Sequence, residues 1–435
     1  MRLNPRLTTA WFWLRASYWF VPTLITLAAV AMALGLIALD RAVAQAAEVP
    51  AWVYSGSAEG ARALLSAVAS SMVTVAGVVF SITMVALALT SSQFGPRLLL
   101  NFMRDTGNQV VIGVFIATFM YCLVVLRVVR GGSPEFVPHI AVTVALILAA
   151  TAVMVLIYFI HHVSVSIQAD HVIAAVRGEL CDAIDAQLAG AADGPGRPSA
   201  PPPPEGEATR VAAPRGGYVQ AIDSAALLRL ARTQDLRIHL ACRAGHFVVA
   251  GAAIAHAWPA ARAEPVAASL RGAFLIGAQR TPTQDPEFAV RQLVEVAVRA
   301  LSPGINDPFT AMACVDWLAE SLCRLAAADP PGAAHDDGDG TPRLILQPVR
   351  FAGVVDAAYN QIRQYGRGSA AVTIRLLEAL QVIATHARRD GDRAALRRHV
   401  DMVERGAAAL PEPFDRAAVR ERAAAARAAL DGTAP

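Results

Sequence analysis

Four long apolar stretches lie in the first 165 residues of the chain. They cover residues 18–39, 63–90, 110–126 and 137–160, and none has Asp, Glu or Arg near its middle. Their lengths match the roughly 20 residues that a helix needs to cross a hydrocarbon core about 30 Å thick. The pattern therefore predicts an α-helical membrane domain with four transmembrane helices over residues 1–165.

The second stretch carries a stripe of small and hydroxyl side chains. No charged residue occurs from Ala63 to Gly95, so this helix could extend well beyond one bilayer thickness. At about 100° per residue the stripe falls on one face, and its members are Ser66, Ser70, Thr74, Gly77, Ser81, Ser91 and Ser92. Such a stripe has two interpretations: it lines a water-filled path, or it lets neighbouring helices approach closely.

Topology follows from the number of spans and the positions of arginine. An even number of spans puts both termini on one side, and Arg is in slight excess in the amino-terminal arm and the second loop. Positive loops face the cytoplasm. Five widely spaced cysteines, an odd number, make a disulfide framework improbable and favour a reducing compartment. The sequence thus predicts a membrane protein with both termini in the cytoplasm.

The rest of the chain predicts a cytosolic α+β region. A juxtamembrane helix and a Pro/Gly-rich linker fill residues 166–217, and apolar residues then alternate with polar ones, as at Leu236, Ile238 and Leu240. This period of two indicates half-buried strands. Residues 218–280 are therefore interpreted as a small β-rich module resembling a barrel or sandwich. Because the sequence contains no lysine, a biotinyl or lipoyl carrier function is excluded.

Residues 281–435 are expected to form a helical domain. Asp285-Pro286 and Asp307-Pro308 each predict a helix start, with a capping side chain followed by proline at the first helical position. Polar residues flank the resulting hairpin: Arg280, Gln284, Asp285, Arg291, Asn306 and Asp307. If they converge, they either bind an anion through arginine and helix N–H groups or form a network that holds the loops in place.

Composition excludes several function classes. All 38 basic residues are arginine and are balanced by 35 acidic residues, so the net charge of +3 predicts no nucleic-acid binding. No nucleophile elbow, phosphate-loop spacing or close Cys/His spacing is present. We therefore expect no enzyme activity, no cofactor and no metal site.

Five motifs carry a family resemblance. They are VFSIT at residues 79–83, SSQFGPR at 91–97, QRT at 279–281, QDP at 284–286 and ALSPGINDP at 300–308. With these motifs the chain resembles the bacterial predicted membrane protein family designated domain of unknown function 2254. The resemblance implies a multi-span inner-membrane protein with a cytosolic part, and it implies no particular activity.

Two functional hypotheses follow from these patterns. In the first, copies of the protein assemble in the lipid bilayer into a channel-like pore that is lined by the second helix and controlled by the cytosolic region, with an ion or small anionic solute as its ligand. In the alternative, the protein is a non-conducting membrane-anchored sensor or scaffold, whose cytosolic hairpin binds a ligand or protein. This alternative expects the hydroxyl stripe to be buried between helices of one subunit.

Overall fold

A computed structural model describes residues 17–43, 54–96, 103, 105–132, 135–189, 207–282, 284–329, 332, 334–336 and 341–432. The first 16 residues of the predicted membrane domain and residues 190–206 of the predicted linker lie outside the described residues. The chain divides into two compact units, with the boundary between His171 and Val172. We call them the membrane unit and the C-terminal unit.

The membrane unit contains four helices that are long and apolar enough to cross a membrane. They are α1 (Phe20–Val43), α2 (Ala58–Gln93), α3 (Thr106–Leu126) and α4 (His139–Ser166). Helix α3 is the most buried of the four and packs against the other three. An all-round apolar helix suits this central position, since it has no polar face to expose. The four predicted apolar helices are therefore confirmed, and each is long enough to cross a membrane.

Helix α5 (Ala169–Ala189) contains the boundary between the units: its first three residues belong to the membrane unit, and the C-terminal unit begins with the rest of the helix. Strands and short helices follow: β1 (Thr209–Ala212), β2 (Gly217–Ile222), α6 (Ser224–Thr233), β3 (Arg237–Leu240), β4 (Phe247–Val248), β5 (Ala253–Trp258), α7 (Ala260–Ala263), α8 (Ala267–Gly272) and β6 (Phe274–Gly277). Strand β1 lies within the segment that the sequence assigned to the linker. It forms because Val211 joins the buried core and the strand pairs with β5.

The strands form two sheets around one shared core. The five-stranded sheet has the order β1-β5-β3-β8-β7, where β7 (Ala334–Asp336) and β8 (Pro342–Ile345) come from the region expected to be helical. The three-stranded sheet has the order β4-β2-β6. Ile238 and Leu240 of the larger sheet and Val219 of the smaller one meet in the same core. No barrel is closed among the described strands, so the predicted barrel or sandwich is not confirmed.

Six longer helices complete the C-terminal unit. They are α9 (Pro286–Ala300), α10 (Pro308–Ala327), α11 (Phe351–Gly366), α12 (Ala370–His386), α13 (Asp390–Gly406) and α14 (Pro413–Asp431). One layer consists of α10, α12 and α14, and the other of α9, α11 and α13. Helices α9 and α10 begin at the two predicted Asp-Pro positions.

Three helices of one layer begin at the same end of this bundle. The first turns of α10 and α12 lie side by side, where Phe309 and Ala371 line one groove. Helices α13 and α14 are antiparallel: Arg397 contacts Asp431 at the end of α14, and Asp401, one turn later in α13, lies 2.7 Å from Arg427, one turn earlier in α14. Since α12 and α13 form a hairpin, α14 runs parallel to α12. The starts of α10, α12 and α14 therefore share one end.

Candidate functional site

Helix α2 is longer than a bilayer requires. It has 36 residues, or about 54 Å at 1.5 Å per residue, against a hydrocarbon core of about 30 Å. The hydroxyl of Ser57 caps its first turn by accepting a hydrogen bond from Gly60 N at 3.3 Å. One face is buried in the membrane unit, and its members recur every three or four residues: Ala61, Leu65, Ala69, Met72, Val79, Thr83, Ala86 and Thr90.

The predicted stripe lies on the opposite face of α2. Six of its members are exposed and Ser91 is half-buried; the exposed ones are Ser66, Ser70, Thr74, Gly77, Ser81 and Ser92. At about 100° per residue, the centre of the stripe lies roughly 155° from the centre of the buried face. The stripe therefore points away from the other helices of the membrane unit. The burial within one subunit that the sensor hypothesis expects is not observed.

Hydroxyl groups of the stripe bond to the backbone of their own helix. Thr74 donates to Ser70 O and Ser81 donates to Gly77 O, each at 2.9 Å. These bonds satisfy the hydroxyl protons, so the face carries little cost in apolar surroundings. The hydroxyl oxygens still have lone pairs that can accept from water or coordinate a cation. Beside them, a side chain at Gly77 would meet no described atom within 4 Å.

Large apolar side chains flank the stripe on both sides. Val73 and Phe80 lie along one edge and are 52% and 51% exposed, and Val78 and Val85 lie along the other, 53% and 60% exposed. Lipid chains accommodate such side chains without cost. The exposed surface of α2 is thus a strip of mostly small and hydroxyl side chains, interrupted by Met84, between two rows of apolar side chains.

Buried polar contacts tie together both ends of the membrane unit. At one end Asp40 of α1 accepts hydrogen bonds from Ile140 N and Ala141 N at 2.9 and 3.0 Å, and so caps α4. At the other end Asp105, the N-cap of α3, lies 2.5 Å from His162 Nε2 of α4. Sequence reasoning missed both contacts. The order of the spans could have suggested them, because the ends of neighbouring spans lie at the same face of the membrane, where their polar side chains can meet.

In the C-terminal unit, the motif at residues 279–285 docks a loop onto β2. The side-chain amide of Gln284 accepts from Ile222 N at 2.9 Å and donates to Ile222 O at 3.1 Å. Thr281 donates to Gln220 O at 3.1 Å, and Gln220 donates back to Gln279 O at 2.8 Å. These bonds satisfy backbone groups at the end of the strand. Gln284 therefore has a structural role.

Asp285 forms a buried ion pair instead of capping α9. Its carboxylate lies 2.5 Å from Arg280 Nη2, and its side chain is fully buried. Because Arg280 holds the carboxylate, no side-chain cap bond forms, and the predicted cap at this position is wrong. Burial raises the pKa of Asp285, while Arg280 acts in the opposite direction. Gly245, in a left-handed conformation with φ of 86°, packs directly against this pair.

A second ion pair extends the cluster. Glu287 in the first turn of α9 contacts Arg243 at 2.5 Å, and lies 4.0 Å from Arg280 and 3.9 Å from Arg291. Burial lowers the pKa of the neighbouring His246, and the charge of Arg243 adds to the effect. Sequence reasoning did not connect Arg243, Gly245 or Glu287 with Arg280 and Asp285, because no short-range pattern links residues 243–246 to α9.

Asn306 and Asp307 lie at the opposite end of α9. With 15 residues, this helix separates them from Asp285 by about 22 Å. Asn306 has a left-handed φ of 52°, and Asp307 caps α10 by accepting from Phe309 N and Thr310 N at 3.1 Å each. The hydroxyl of Thr310 and these amides lower the pKa of Asp307. The six polar residues therefore form two separate groups and do not converge on one ligand site.

Metal-ligating side chains do not cluster in the part of the chain that the structure describes, where no group of three His, Cys, Asp or Glu residues could hold an ion. All five cysteines are free; Cys122, Cys181, Cys242 and Cys314 are buried, and Cys323 is half-buried. Burial raises the pKa of Cys242 and of Cys323 to about 11 in each case. The thiols of Cys242 and Cys323 are therefore protonated at neutral pH and are weak nucleophiles.

Four apolar helices of spanning length define a multi-pass membrane protein. Comparison with known sequences gives the family: the predicted membrane protein family DUF2254 matches residues 15–382, and the chain belongs to it. The resemblance carried by the five motifs is thereby confirmed.

Relatives include an uncharacterized protein of Mycobacterium bovis and an uncharacterized protein of Mycobacterium tuberculosis strain H37Rv. Each is 33% identical over 405 residues, which cover 91% of this chain and 77% of the relative. No solved structure matches the chain.

Proposed function

We propose that the protein is a homo-oligomeric, channel-like pore of the bacterial inner membrane, in which copies of α2 face one another across a polar path. The observation that carries the proposal is the orientation of the hydroxyl stripe. It points away from the other helices of the membrane unit and lies between two rows of apolar side chains. A second copy is therefore the surface that can meet the stripe at close range, because small side chains let helices approach.

The length of the stripe favours a path over simple helix packing. From Ser66 to Ser92 the stripe covers 26 residue steps, or about 39 Å, which exceeds the hydrocarbon thickness. Close packing of two helices needs only one or two turns of small residues. Hydroxyl oxygens recur along the stripe from Ser66 to Ser81 and again at Ser91 and Ser92, and at these levels they can replace part of the hydration shell of an ion.

The absence of charge favours passive conduction. No charged residue occurs from Ala63 to Gly95, whereas coupled carriers place ionisable groups at membrane depth. A neutral hydroxyl path accepts a small ion or a small anionic solute without binding it tightly. The C-terminal unit, which we place in the cytoplasm together with both termini, would control access to this path.

Flux measurements on reconstituted protein test the proposal. Ser70→Leu and Thr74→Leu add branched apolar side chains to the stripe and should lower ion flux into liposomes on the order of tenfold. Ser71→Leu is the matched control, because Ser71 is also exposed and also bonds to its own helix, at Ala67 O. It lies about 100° from Ser70 and should leave flux unchanged. Background flux for the wild-type protein would contradict the proposal.

The sensor or scaffold hypothesis is the second candidate. It is supported by the loop between α9 and α10, where Ile305 is 43% exposed, and by the first turn of α10, where Phe309 is 77% exposed. Exposed apolar side chains on a loop are typical of binding surfaces. In this case the full-length protein would capture a ligand or protein, Phe309→Ser would abolish capture, and liposomes would show no flux.

A further inference from the structure

An unfilled groove lies between the first turns of α10 and α12. It has a volume of about 390 Å³, and Met312, Ala313, Ala371 and Ile374 line its apolar part. Phe309 stands on its rim with 77% of its surface exposed. The phenyl ring and the apolar lining of the groove are both exposed to water, and burying these two apolar surfaces is favourable.

The charged residues at the groove are already paired within the protomer. Arg375 forms two hydrogen bonds with Asp316 at 2.6 and 2.8 Å, and a third with Glu378 at 3.1 Å. Glu378 also lies 3.3 Å from Arg422. Since these charges neutralise one another, the groove offers no unpaired charge to an acidic or basic partner. An uncharged, apolar group is the occupant that it fits.

The apolar surface continues over the end of the helix bundle. Ile305 precedes α10, Tyr365 ends α11 next to the start of α12, and Phe414 begins α14; they are 43%, 60% and 78% exposed. Leu301, at the start of the same loop as Ile305, reaches the turn at Gly366. Clustered exposed apolar side chains mark interaction sites, whereas isolated ones do not.

We propose that this groove receives Phe309 from a second copy of the chain, related by a two-fold axis. Each copy then supplies one phenyl ring and accepts one, so a single symmetric contact buries both rings and fills both grooves. The neutral rim permits this contact, because two identical surfaces with net charge would repel. The contact lies in the C-terminal unit and is separate from the stripe on α2, so it does not depend on conduction.

Disulfide trapping between two differently tagged full-length copies tests the contact. One copy carries Phe309→Cys and the other Ala371→Cys, and both are expressed together and oxidised in membranes. Val382→Cys replaces Ala371→Cys as the control: Val382 is 51% exposed on the same helix but about 16 Å further along it. The native cysteines add little background, because four of the five are buried.

The expected result is a reducible dimer containing both tags for the 309/371 pair, at several times the yield of the 309/382 pair. The proposal is overturned if the 309/371 pair gives no dimer while both cysteines still react with a maleimide dye. Equal yields for the two pairs, or linkage of position 309 to a different protein, would also overturn it. Ser70→Leu in the same chains separates the two proposals, since it should lower flux on the order of tenfold and leave the 309/371 link intact.

Discussion

Replacing Gly245 by alanine should destabilise the C-terminal unit far more than the same change at Gly251. Both glycines have left-handed backbones, with φ of 86° and 80°. A Cβ at residue 245 would lie 2.5 Å from Asp285 Cγ and 2.6 Å from Arg280 Nη2, whereas at residue 251 it would meet no described atom within 4 Å. The two substitutions thus share the backbone penalty and differ only in the clash.

The magnitudes follow from these two contributions. A left-handed backbone costs alanine roughly 1–2 kcal/mol, which is the whole expected effect at Gly251. At Gly245 the Cβ also forces apart Arg280 and Asp285, and Asp285 has no exposed side-chain surface. Breaking a buried ion pair costs about 3–5 kcal/mol, because an uncompensated charge stays buried. Gly245→Ala should therefore lower the free energy of unfolding by roughly 4–7 kcal/mol.

Thermal unfolding of the purified full-length protein measures the difference. Each 1 kcal/mol moves the midpoint by about 2–4 °C in a unit of this size. Gly251→Ala should therefore lower the midpoint of the C-terminal unit by a few degrees, and Gly245→Ala by about 8 °C or more. Equal shifts for the two variants would refute the reasoning, since they would mean that the Arg280–Asp285 pair tolerates a Cβ beside it.

Two further predictions concern the capping residue and pH. Asp40→Ala removes both acceptors for the first amides of α4 and should cost about 1–3 kcal/mol of unfolding free energy, with Asp40→Asn losing less; an unchanged melting midpoint in detergent would contradict the capping role. Stability of the C-terminal unit should decrease as pH falls from 7 to 5. Burial lowers the pKa of His399 against the pull of Asp356. Burial acts to raise the pKa of Asp356, but hydrogen bonds from His399 and Arg398 lower it overall. The contribution of His399 is present above its usual pKa of 6.5 and is lost as pH falls below that value, whereas the contribution of Asp356 is lost only below its usual pKa of 3.8. His399→Gln should flatten the dependence of the midpoint on pH, and an unaltered slope would argue against this origin.

Features that depend on local physics were predictable from the sequence. The four spans appear within a few residues of their expected positions, because hydrophobic length alone sets them. The helix starts at Pro286 and Pro308 were found because proline has no N–H to lose at the first helical position. Membership of the stripe was also predictable, since helical periodicity alone decides which residues share a face.

Features that depend on distant residues were not predictable. Strands β7 and β8 join the larger sheet because β8 pairs with β3, about 100 residues earlier in the chain. The local sequence at residues 334–345 does not indicate this pairing. The two Asp-Pro motifs look alike, yet Asp307 caps its helix and Asp285 does not, because only Asp285 has Arg280 within reach. The two aspartates have different roles because their neighbours in the folded structure differ, although the residue type is the same.

The sequence by itself determined that this is a membrane protein of the DUF2254 family with four apolar helices of spanning length, and which residues of the second of these helices form a polar stripe. Only the tertiary structure decided where the stripe points. Helix α2 has two faces rich in small residues, and packing against α3 buries the one with Leu65, Met72 and Val79. The larger apolar area favours that face for the core, which leaves the hydroxyl face exposed on the outside of the membrane unit.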